Sequence, residues 1–509
     1  MERIAVVDLG SNSVRMTITR LGADGAYRMV ESARAMVRLS EGMGAEGILR
    51  PEPMERTLHA IDLFRRLMDV HNVTMVYPIA TAAVRQAVNA EDFLVRIEAQ
   101  TGLRFEVITG EEEAELDFLG VVNTVSHSDF AMLDIGGASS EIAVVRNREL
   151  VGRTSIPWGA VNLTERFELQ GKPTKKSREA AEAAVMAGIR ACGWIPKDPA
   201  LPLIGLGGTI RALAKADRRR REWPVEGLHQ YEMPAERIQG WLTEWGGLGA
   251  KERKTVPGIG KDRADILTGA VIPLRMLLDH LGSQRIVVSG NGIREGLFFR
   301  HLARKQGWPA EVLVDVRTHS IENLMRLHES EPAHARHVRH LAHLLFDGMR
   351  SLHGLGAELR DLLGFAALLH DSGVHIDYYN HHQHGFYLIL NSELNGFTHR
   401  EKVLVALLAG MHRVNSEVRV DWRAFDCLLA EGDRAALRRL SLFLMLAEQL
   451  DRSECGTIRS LHVHVGERTV RLTAEADEDI RLELGAAALC AAGFEREFGR
   501  ELELLQRKN

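Results

Sequence analysis

Residues 5–19 read AVVDLGSNSVRMTIT, and residues 131–145 read AMLDIGGASSEIAVV. Both stretches run apolar residues into an aspartate, Asp8 or Asp134, and then pass through a glycine- and serine-rich turn into alternating apolar residues. The short apolar run predicts a buried strand, and the alternation after the turn predicts a second strand. We therefore predict two β-hairpins of the same design, one in each of two related units.

Two further apolar runs end in glycines that open onto helical patterns. They are PLIGLGGTIRALA from Pro202 and RIVVSGNGIREGLFF from Arg285. Between the predicted strands, residues 90–100 have helical periodicity, with Asn89 before them and Gly102 as a stop signal. The first half of the chain is thus predicted to be two related α/β units that face each other.

The pattern breaks around Trp308 and Pro309, and the composition then changes. Most of the 22 histidines lie between His319 and His412, within Leu- and Ala-rich helical periodicity. An alternating hairpin around Gly466 and a final helix near residues 486–498 close the chain. We predict two α/β domains over 1–124 and 125–305, an all-α domain over 306–456 and a small α+β domain over 457–509.

Composition excludes several classes of protein. Of 509 residues, 45% are hydrophobic and 26% are charged, which is typical of a globular chain and not of a disordered one. No apolar run reaches the roughly 20 residues that span a bilayer, and the N-terminus lacks a secretory signal pattern, so a cytoplasmic location is expected. The four cysteines are widely spaced and are expected to be buried hydrophobes.

The net charge of −5 gives no global field that would attract a polyanion, nucleic acid included, so an anion site has to be built locally. Glycine allows a backbone to approach an anion closely, and a tight turn aims several N–H groups at one phosphate. Asp8 and Asp134 can hold Mg²⁺ between themselves and that phosphate, and Glu141 can project toward the same cleft. One such turn is usually an ordinary hairpin turn. Two near-copies favour phosphate binding.

A series of motifs over roughly residues 1–305 resembles the exopolyphosphatase / guanosine pentaphosphate phosphohydrolase (Ppx/GppA) family. The motifs are, in order, DLGSNSVRM, IATAAVRQAVN, ITGEEEAEL, DIGGASSEI, GLGGTIRALA, GKDRADILTGA and SGNGIREG. The resemblance implies two domains of the actin, Hsp70 and sugar-kinase (ribonuclease H-like) fold group. It also implies a homodimer that aligns a polyphosphate channel across subunits.

The resemblance also implies roles for individual residues. Glu113 matches the carboxylate that orients or deprotonates the attacking water, and Asp134 and Glu141 match the ligands of Mg²⁺ or Mn²⁺. The implied phosphate-binding residues are Ser11, Asn12, Ser13, Arg85, Gly136, Gly137, Ser139, Gly207, Gly208 and Arg263, with Arg211 and Arg294 as further contacts. Sequence chemistry alone also fits Glu113 to a solvated acidic helix start. Ala138 stands where the family usually has a third glycine, so altered phosphate affinity is expected.

The stretches HARHVRHLA, LLHDSG and HHQHG resemble the HD phosphohydrolase superfamily. This implies a divalent-metal site formed by His334, His370, Asp371 and Glu448, with a transition metal suited to the donors. Glutamate replaces the usual aspartate at position 448, and the histidines of the first stretch recur at three-residue steps that cannot all face one metal. We therefore interpret the domain as structural, dimer-forming or chain-guiding, and keep metal binding as the alternative.

The favoured function is hydrolysis of the terminal phosphoanhydride of polyphosphate, which releases orthophosphate. Removal of the terminal phosphate of guanosine pentaphosphate is the alternative within the same chemistry. An ATP-dependent kinase of the same fold is disfavoured because Ile210 and Arg211 leave little room for adenosine. A filament or a phosphate or alarmone sensor, and an activity located in the histidine-rich domain, stay open. The run from Arg218 to Arg221 is either a solvated loop or a contact for the polyphosphate chain.

Overall fold

Three β-sheets organise the described part of the chain in the computed structural model, which covers residues 1–44, 46–260, 263–328, 332–413 and 422–507. Two of the sheets lie in a first unit, Met1–Val316, and the third lies in a second unit, Arg317–Asn509. The result is a mixed α/β fold in which helices separate most strands.

The first sheet has the strand order β3-β2-β1-β4-β5. Its strands are β1 Glu2–Leu9, β2 Ser13–Leu21, β3 Tyr27–Met36, β4 Met75–Ala80 and β5 Glu106–Val107. The strands β1, β2 and β3 form an antiparallel meander, and β4 then lies parallel to β1. The residues from Ile4 to Val7 are all buried because helices cover one face and the rest of the unit covers the other.

The second sheet repeats this plan, with the order β10-β11-β9-β6-β7-β8. Its strands are β6 Phe130–Ile135, β7 Ser140–Arg146, β8 Glu149–Ile156, β9 Leu203–Leu206, β10 Tyr231–Pro234 and β11 Arg285–Val288. Here β6, β7 and β8 form the meander, and β9 is parallel to β6. The two predicted hairpins, β1–β2 and β6–β7, are confirmed.

Helices flank both sheets of the first unit. They are α1 Pro51–Val70, α2 Ala82–Arg85, α3 Ala90–Thr101, α4 Gly110–Val122, α5 Ala160–Arg166, α6 Lys175–Ala191, α7 Gly207–Arg220, α8 Ala235–Gly246, α9 Ala250–Arg253, α10 Leu267–Leu281 and α11 Ile293–Gln306. The predicted helix at residues 90–100 is confirmed as α3, and Gly102 ends it in a left-handed conformation. The glycine turns after β9 and β11 open onto α7 and α11, as predicted.

The second unit is mainly helical up to residue 449. Its helices are α12 Val316–Leu327, α13 Pro332–Gly348, α14 Arg350–His353, α15 Ala357–Leu369, α16 His381–Asn391, α17 His399–Gly410, α18 Asp433–Gln449, α19 Arg481–Ala487 and α20 Ala491–Phe498, with short 3₁₀ turns at Ser372–His375, Trp422–Phe425 and Ala488–Cys490. Its sheet has β12 Ser460–Val465 and β13 Thr469–Glu475 as a hairpin and β14 Glu501–Arg507 parallel to β13.

Three expectations need correction. A strand, β14, follows the final helix, and sequence reasoning did not predict it. Cys427 and Cys455 are exposed and Cys192 is half-buried, so only Cys490 is the buried hydrophobe that was expected. The arginine run from Arg218 is the last turn of α7 and not a loop. In the described ranges, no helix is both long and apolar enough to cross a membrane.

Candidate active site

A cleft lies where the carboxyl ends of β1 and β6 meet the turns that follow them. Parallel neighbours bring further segments to the same edges, because Leu9 pairs with Ala80 of β4 and Asp134 pairs with Leu206 of β9. In open α/β sheets this edge is where ligands bind. Nine of the ten predicted phosphate-binding residues line the cleft: Ser11, Asn12, Ser13, Gly136, Gly137, Ser139, Gly207, Gly208 and Arg263.

The two hairpin turns have equivalent geometry. The Gly10 N–H donates to the carbonyl of Ser13 over 3.2 Å, and the Gly136 N–H donates to the carbonyl of Ser139 over 3.0 Å. Each turn therefore closes on itself, while Ser11, Asn12 and Gly137 face the cleft. The internal repeat read from the sequence is thus a pair of matching loops that both line the cleft.

Two glycines are required by close packing at the cleft. A Cβ on Gly137 would lie 2.8 Å from the Cβ of Ser11, so only glycine lets the two turns approach this closely. Gly207 has φ +82°, and a Cβ there would lie 2.2 Å from Oδ1 of Asp134. Position 207 consequently excludes a side chain both by backbone conformation and by space.

The hairpins differ in the charges that face each other across the strands. In the first hairpin Asp8 pairs with Arg15, whereas in the second hairpin Asp134 pairs with Glu141. Like charges in directly opposed positions are destabilising unless a cation lies nearby. The second hairpin is therefore the one whose residues fit a bound divalent metal ion.

Glu141 is 1% exposed and accepts hydrogen bonds from the Ser139 hydroxyl over 2.7 Å and the Ser155 hydroxyl over 2.8 Å. Both bonds go to Oε1, so the second carboxylate oxygen stays available to a cation. Oδ1 of Asp134 is buried with no hydrogen-bond partner among the described residues. These two predicted ligands fit a hard cation that takes oxygen donors, such as Mg²⁺ or Mn²⁺.

Glu113 lies in the first turn of α4, which Thr109 caps through a reciprocal hydrogen-bond pair with Glu112. Glu111 and Glu112 are exposed, in keeping with an acidic helix start, whereas Glu113 lines the cleft. Arg85 holds the carboxylate through a 3.1 Å contact from Nη1 to Oε2 and also donates to the carbonyl of Ile108. Arg85 is thus placed beside Glu113, and it is not among the described residues that line the cleft.

Sequence reasoning missed Asp117. It lies one helical turn after Glu113 on α4, is 1% exposed and also lines the cleft. Neither of its carboxylate oxygens has a hydrogen-bond partner among the described residues. The four-residue spacing from Glu113, which places both side chains on one helix face, was the available signal.

The buried carboxylates in and next to the cleft form one electrostatic group. Glu113, Asp117 and Asp134 line the cleft, whereas Glu141 is buried beside it and is not among the described lining residues. Burial, followed by the charge of Glu141, raises the pKa of Glu113 well above its ordinary value. Burial and then Asp134 do the same to the pKa of Asp117. Burial and Asp134 raise the pKa of Glu141 to about 7, against the bonds from Ser139 and Ser155. Binding of a proton or a metal cation between these carboxylates is therefore favourable.

The stability of the metal-free protein should consequently fall as the pH rises. The folded state holds these protons more tightly than the unfolded chain, so their contribution is complete below the unfolded pKa near 4.5 and is lost as the pH passes the folded pKa of Glu141, about 7. We expect the melting temperature in chelator to drop over this interval, and to drop less in Glu141→Gln. Glu149→Gln, an exposed change on the next strand, is the control. An unchanged pH profile in Glu141→Gln contradicts the assignment.

A basic pocket of about 350 Å³ adjoins the cleft. It shares Arg15, Gly208 and Arg263 with the cleft, so the two cavities adjoin at these residues. The cationic residues that line it are Arg15, Arg34, Arg211, Lys215, Arg263 and Arg294. Burial, and then the charges of Arg15 and Arg294, lower the pKa of Arg211 to about 9. So dense a cluster of cations fits a polyanion.

Two sequence interpretations change at this point. Ile210 is fully buried in the core and is not among the described residues that line either cavity, so it does not restrict a ligand there as expected. Arg211, the other residue of that prediction, lines the basic pocket. Ala138 is 5% exposed. It is not among the described residues that line the cleft, whereas its neighbours Gly137 and Ser139 are. The altered phosphate affinity expected from Ala138 therefore has no contact in the cleft to support it.

The four predicted metal ligands of the second unit also come together. Oε2 of Glu448 lies 3.3 Å from Nε2 of His334 and 3.4 Å from Nε2 of His370, so the longer glutamate does reach the site. Asp371 is 3.4 Å from His370. Of the histidines on α13, His334 alone joins this group in the described structure, and His337 bonds to Asp451 and to the carbonyl of Ile458.

The paired sheets, with matching glycine turns at a shared cleft, define a two-sheet α/β protein of the phosphate-handling class. Residues 18–305 match the Ppx/GppA phosphatase family, and residues 316–494 match Ppx/GppA phosphatase, domain III. The chain belongs to the Ppx/GppA phosphatase family, and it is a phosphatase.

Solved structures agree with this membership. A Ppx/GppA family member from Aquifex aeolicus is 27% identical, with a TM-score of 0.52, covering 60% of this chain and 98% of that one. An exopolyphosphatase from Cytophaga hutchinsonii is 26% identical, with a TM-score of 0.55 and the same coverage of 60% and 98%. The similarity therefore extends over nearly the whole of both relatives.

Proposed function

We propose that this chain is an exopolyphosphatase that hydrolyses the terminal phosphoanhydride of inorganic polyphosphate and releases orthophosphate. The observation that carries the proposal is that the basic pocket adjoins the cleft through shared lining residues. Glu113 lies among the two phosphate-binding turns at one end, and six cationic side chains line the other. A substrate with one reacting phosphate and a long anionic remainder matches both parts. The exopolyphosphatase from Cytophaga hutchinsonii supports the assignment as a structural relative.

In this mechanism the terminal phosphate rests against the turns at Ser11–Ser13 and Gly136–Ser139, whose N–H and hydroxyl groups take its charge. Glu113 accepts a proton from a water molecule, and the water oxygen forms the new bond to phosphorus. The bridging P–O bond breaks, and the shortened chain leaves with that oxygen. Phosphoryl transfer depends mainly on such positioning and on charge stabilisation. The raised pKa of Glu113 brings it nearer to that of an effective base at neutral pH.

Asp134 and Glu141 would hold a divalent cation, Mg²⁺ or Mn²⁺, with Asp8 and Asp117 close enough to influence it electrostatically. When bound, the cation neutralises phosphate oxygens as negative charge shifts to the leaving group. Arg85 keeps the Glu113 carboxylate in place.

Guanosine pentaphosphate is the alternative substrate, because it presents the same terminal anhydride. The described lining of the basic pocket contains no aromatic side chain on which guanine could stack, only arginine, lysine, serine, alanine and glycine. This lining favours a linear polyphosphate. A guanine base can also stack on the planar guanidinium group of an arginine. The two substrates therefore need direct comparison.

The deciding experiment measures phosphate release from long-chain polyphosphate and from guanosine pentaphosphate in parallel, with Mg²⁺ and after chelation. We expect faster release from polyphosphate, lost in chelator and restored by Mg²⁺ or Mn²⁺. Faster release from guanosine pentaphosphate would transfer the assignment to the alternative. Release from neither would exclude the hydrolase, and a response to ATP by calorimetry would favour the kinase class.

A second prediction concerns the basic pocket. Replacing Arg211 with glutamine should raise the KM for polyphosphate by about 10- to 100-fold with little change in kcat, since a charge-assisted hydrogen bond contributes about 1.5–3 kcal/mol. Steady-state kinetics on long-chain polyphosphate measure this. The control is Arg219→Gln, an exposed arginine of the same helix outside the pocket.

Equal effects of the two substitutions would place chain binding on the arginine run at the end of α7 instead. That run has local partners in the structure: Arg220 pairs with Glu244, and Arg221 stacks over Trp223.

The homodimer also stays a prediction, and light scattering tests it.

A further inference from the structure

We propose that the ion pair between Arg38 and Asp265 closes one margin of the cleft and thereby confines hydrolysis to the last phosphate of a polyphosphate chain. The inference deepens the proposed function and rests on it. Every internal phosphate of the substrate is joined by the same anhydride bonds as the last one. An enzyme that acts only at chain ends therefore needs a barrier behind the reacting phosphate, and the residues that form the barrier determine specificity.

Two cavities adjoin the cleft at different places. The basic pocket of about 350 Å³ meets it at Arg15, Gly208 and Arg263. A second cavity, of about 70 Å³, meets it at Asn12 and Ile266, and we call it the narrow cavity. The described linings of the basic pocket and the narrow cavity have no residue in common. In the proposed mechanism the reacting phosphate thus has a wide cationic space at one margin of the cleft and a much smaller space at another.

The ion pair lies on the path from the cleft through the narrow cavity to solvent. Nη1 of Arg38 is 3.1 Å from Oδ2 of Asp265, and both residues line the narrow cavity. Their side chains are 38% and 31% exposed, so solvent lies directly beyond them. Arg38 follows β3 of the first sheet, and Asp265 precedes α10, which packs in the same core as the second sheet. The pair therefore bridges the two halves of the first unit at this margin.

The backbone fixes Arg38 beside the first phosphate-binding turn. Its N–H donates to the carbonyl of Asn12 over 3.0 Å, and the N–H of Ser40 donates to the carbonyl of Ser11 over 3.1 Å. Arg38 has φ +47°, a left-handed conformation that glycine adopts freely and that costs other residues free energy. Backbone strain of this kind is concentrated at functional sites, which favours a functional role for the Arg38 side chain.

Asp265 lies in the turn that carries Arg263. The Ile266 N–H donates to the carbonyl of Arg263 over 3.2 Å, and this turn leads into α10. The Arg263 guanidinium covers Gly208 so closely that position 208 has no room for a Cβ. The ion pair thus joins the turn that binds the reacting phosphate to the turn whose arginine lies where the basic pocket begins.

The charges around the narrow cavity oppose the passage of an anionic chain. Its described lining has carboxylates from Glu41, Glu165 and Asp265 and a single cationic side chain, that of Arg38. In the basic pocket, every ionisable side chain of the described lining is cationic. A polyphosphate chain is therefore attracted toward the basic pocket and repelled from the narrow cavity.

Hydrolysis at an internal phosphate would need the chain to leave the cleft at both margins. The water oxygen would form a bond to an internal phosphorus, a bridging P–O bond would break, and two shorter chains would result. With the ion pair in place the chain has one way out of the cleft, through the basic pocket. The phosphate that rests against the turns is then the last one.

Polyphosphate with both terminal phosphates blocked as alkyl esters tests the barrier, with chain length followed by gel electrophoresis. Wild type should leave the blocked chains intact and release orthophosphate from unblocked ones. Arg38→Gly/Asp265→Ala should shorten the blocked chains at least about tenfold faster than wild type, since removing about 1.4 kcal/mol from a barrier changes a rate tenfold. Adding Glu165→Gln should increase this rate further, because one more carboxylate is neutralised.

The matched control is Arg146→Ala/Asp198→Ala. This pair has a 2.7 Å contact and side chains that are 38% and 29% exposed, and neither residue is among the described lining of the cleft, the basic pocket or the narrow cavity. We expect it to act on unblocked ends only, like wild type. The charge exchange Arg38→Asp/Asp265→Arg should restore the barrier, because it re-forms the pair and aspartate tolerates a positive φ.

Cleavage of blocked chains is a gain of function, which loss of structure does not produce. Blocked chains left intact by a correctly folded Arg38→Gly/Asp265→Ala, or cleaved already by wild type, would overturn the barrier while the hydrolase stands. No release from unblocked chains by wild type would instead contradict the proposed function. If circular dichroism shows that the double variant does not fold, Arg38→Gly alone decides, since glycine suits φ +47° and still opens the pair.

Discussion

Glu113→Gln is expected to lower kcat for phosphate release from polyphosphate by about 10²–10⁴-fold, because an amide cannot accept the proton of the attacking water. The side chain has the position that this role needs: it lines the cleft with both glycine turns, and Arg85 fixes its orientation over 3.1 Å. Glutamine preserves the size of the side chain, so substrate binding should change little. Initial rates with saturating polyphosphate and Mg²⁺ measure the effect.

The control for this substitution lies two residues earlier in the same helical turn. Glu111 is exposed, and Glu111→Gln removes one charge from the first turn of α4 without altering the cleft. We expect Glu111→Gln to keep activity within about twofold of wild type, because exposed substitutions away from a site have small effects. A loss of less than tenfold in Glu113→Gln would remove this residue from the proposed mechanism and redirect attention to Asp117.

Gly207→Ala is expected to lower activity by about 100-fold and to destabilise the first unit. A non-glycine residue in the left-handed region costs about 1–2 kcal/mol, and Gly207 has φ +82°. The added Cβ would also lie 2.2 Å from Oδ1 of Asp134, so the carboxylate has to move. Displacements of about 1 Å in a catalytic group can cost about 100-fold in rate.

Activity and thermal unfolding of Gly207→Ala should be measured together with Gly240→Ala. A Cβ on Gly240, inside α8, would meet no atom within 4 Å, so alanine there should stabilise the protein by up to about 1 kcal/mol. Added Mg²⁺ should raise the melting temperature of wild type more than that of Gly207→Ala, because the displaced Asp134 binds the cation less well. Wild-type activity in Gly207→Ala would show that activity does not require a glycine beside Asp134.

Local sequence patterns were sufficient for the parts of the fold that depend on near neighbours. The hairpins at Asp8 and Asp134 follow from alternation and from turn composition, and both are present. The stop of α3 at Gly102 and the glycine turns into α7 and α11 follow in the same way. The strand β14 was missed because its pairing with β13 depends on a contact between segments separated by a helix.

The site was predictable in so far as it consists of repeated motifs. The two turns and Glu113 could be named because their residue types and order carry the signal. The spacing of Glu141 predicted only that it projects toward the cleft, and its direct opposition to Asp134 across the hairpin came from the structure. Their chemical roles stay predictions until the substitutions are measured.

The sequence by itself determined the hairpin pair, the helical second half and the candidate phosphate loops, because each depends on periodicity or turn chemistry within a few residues. Only the tertiary structure decided which distant side chains share a cavity. It placed Asp117 beside Asp134 in the cleft, gathered Arg211 and Lys215 with Arg34 into one basic pocket, and brought His381 and His412 to Asp371. These contacts join residues far apart in the chain, and their distances are set by helix and sheet packing, which no local pattern encodes.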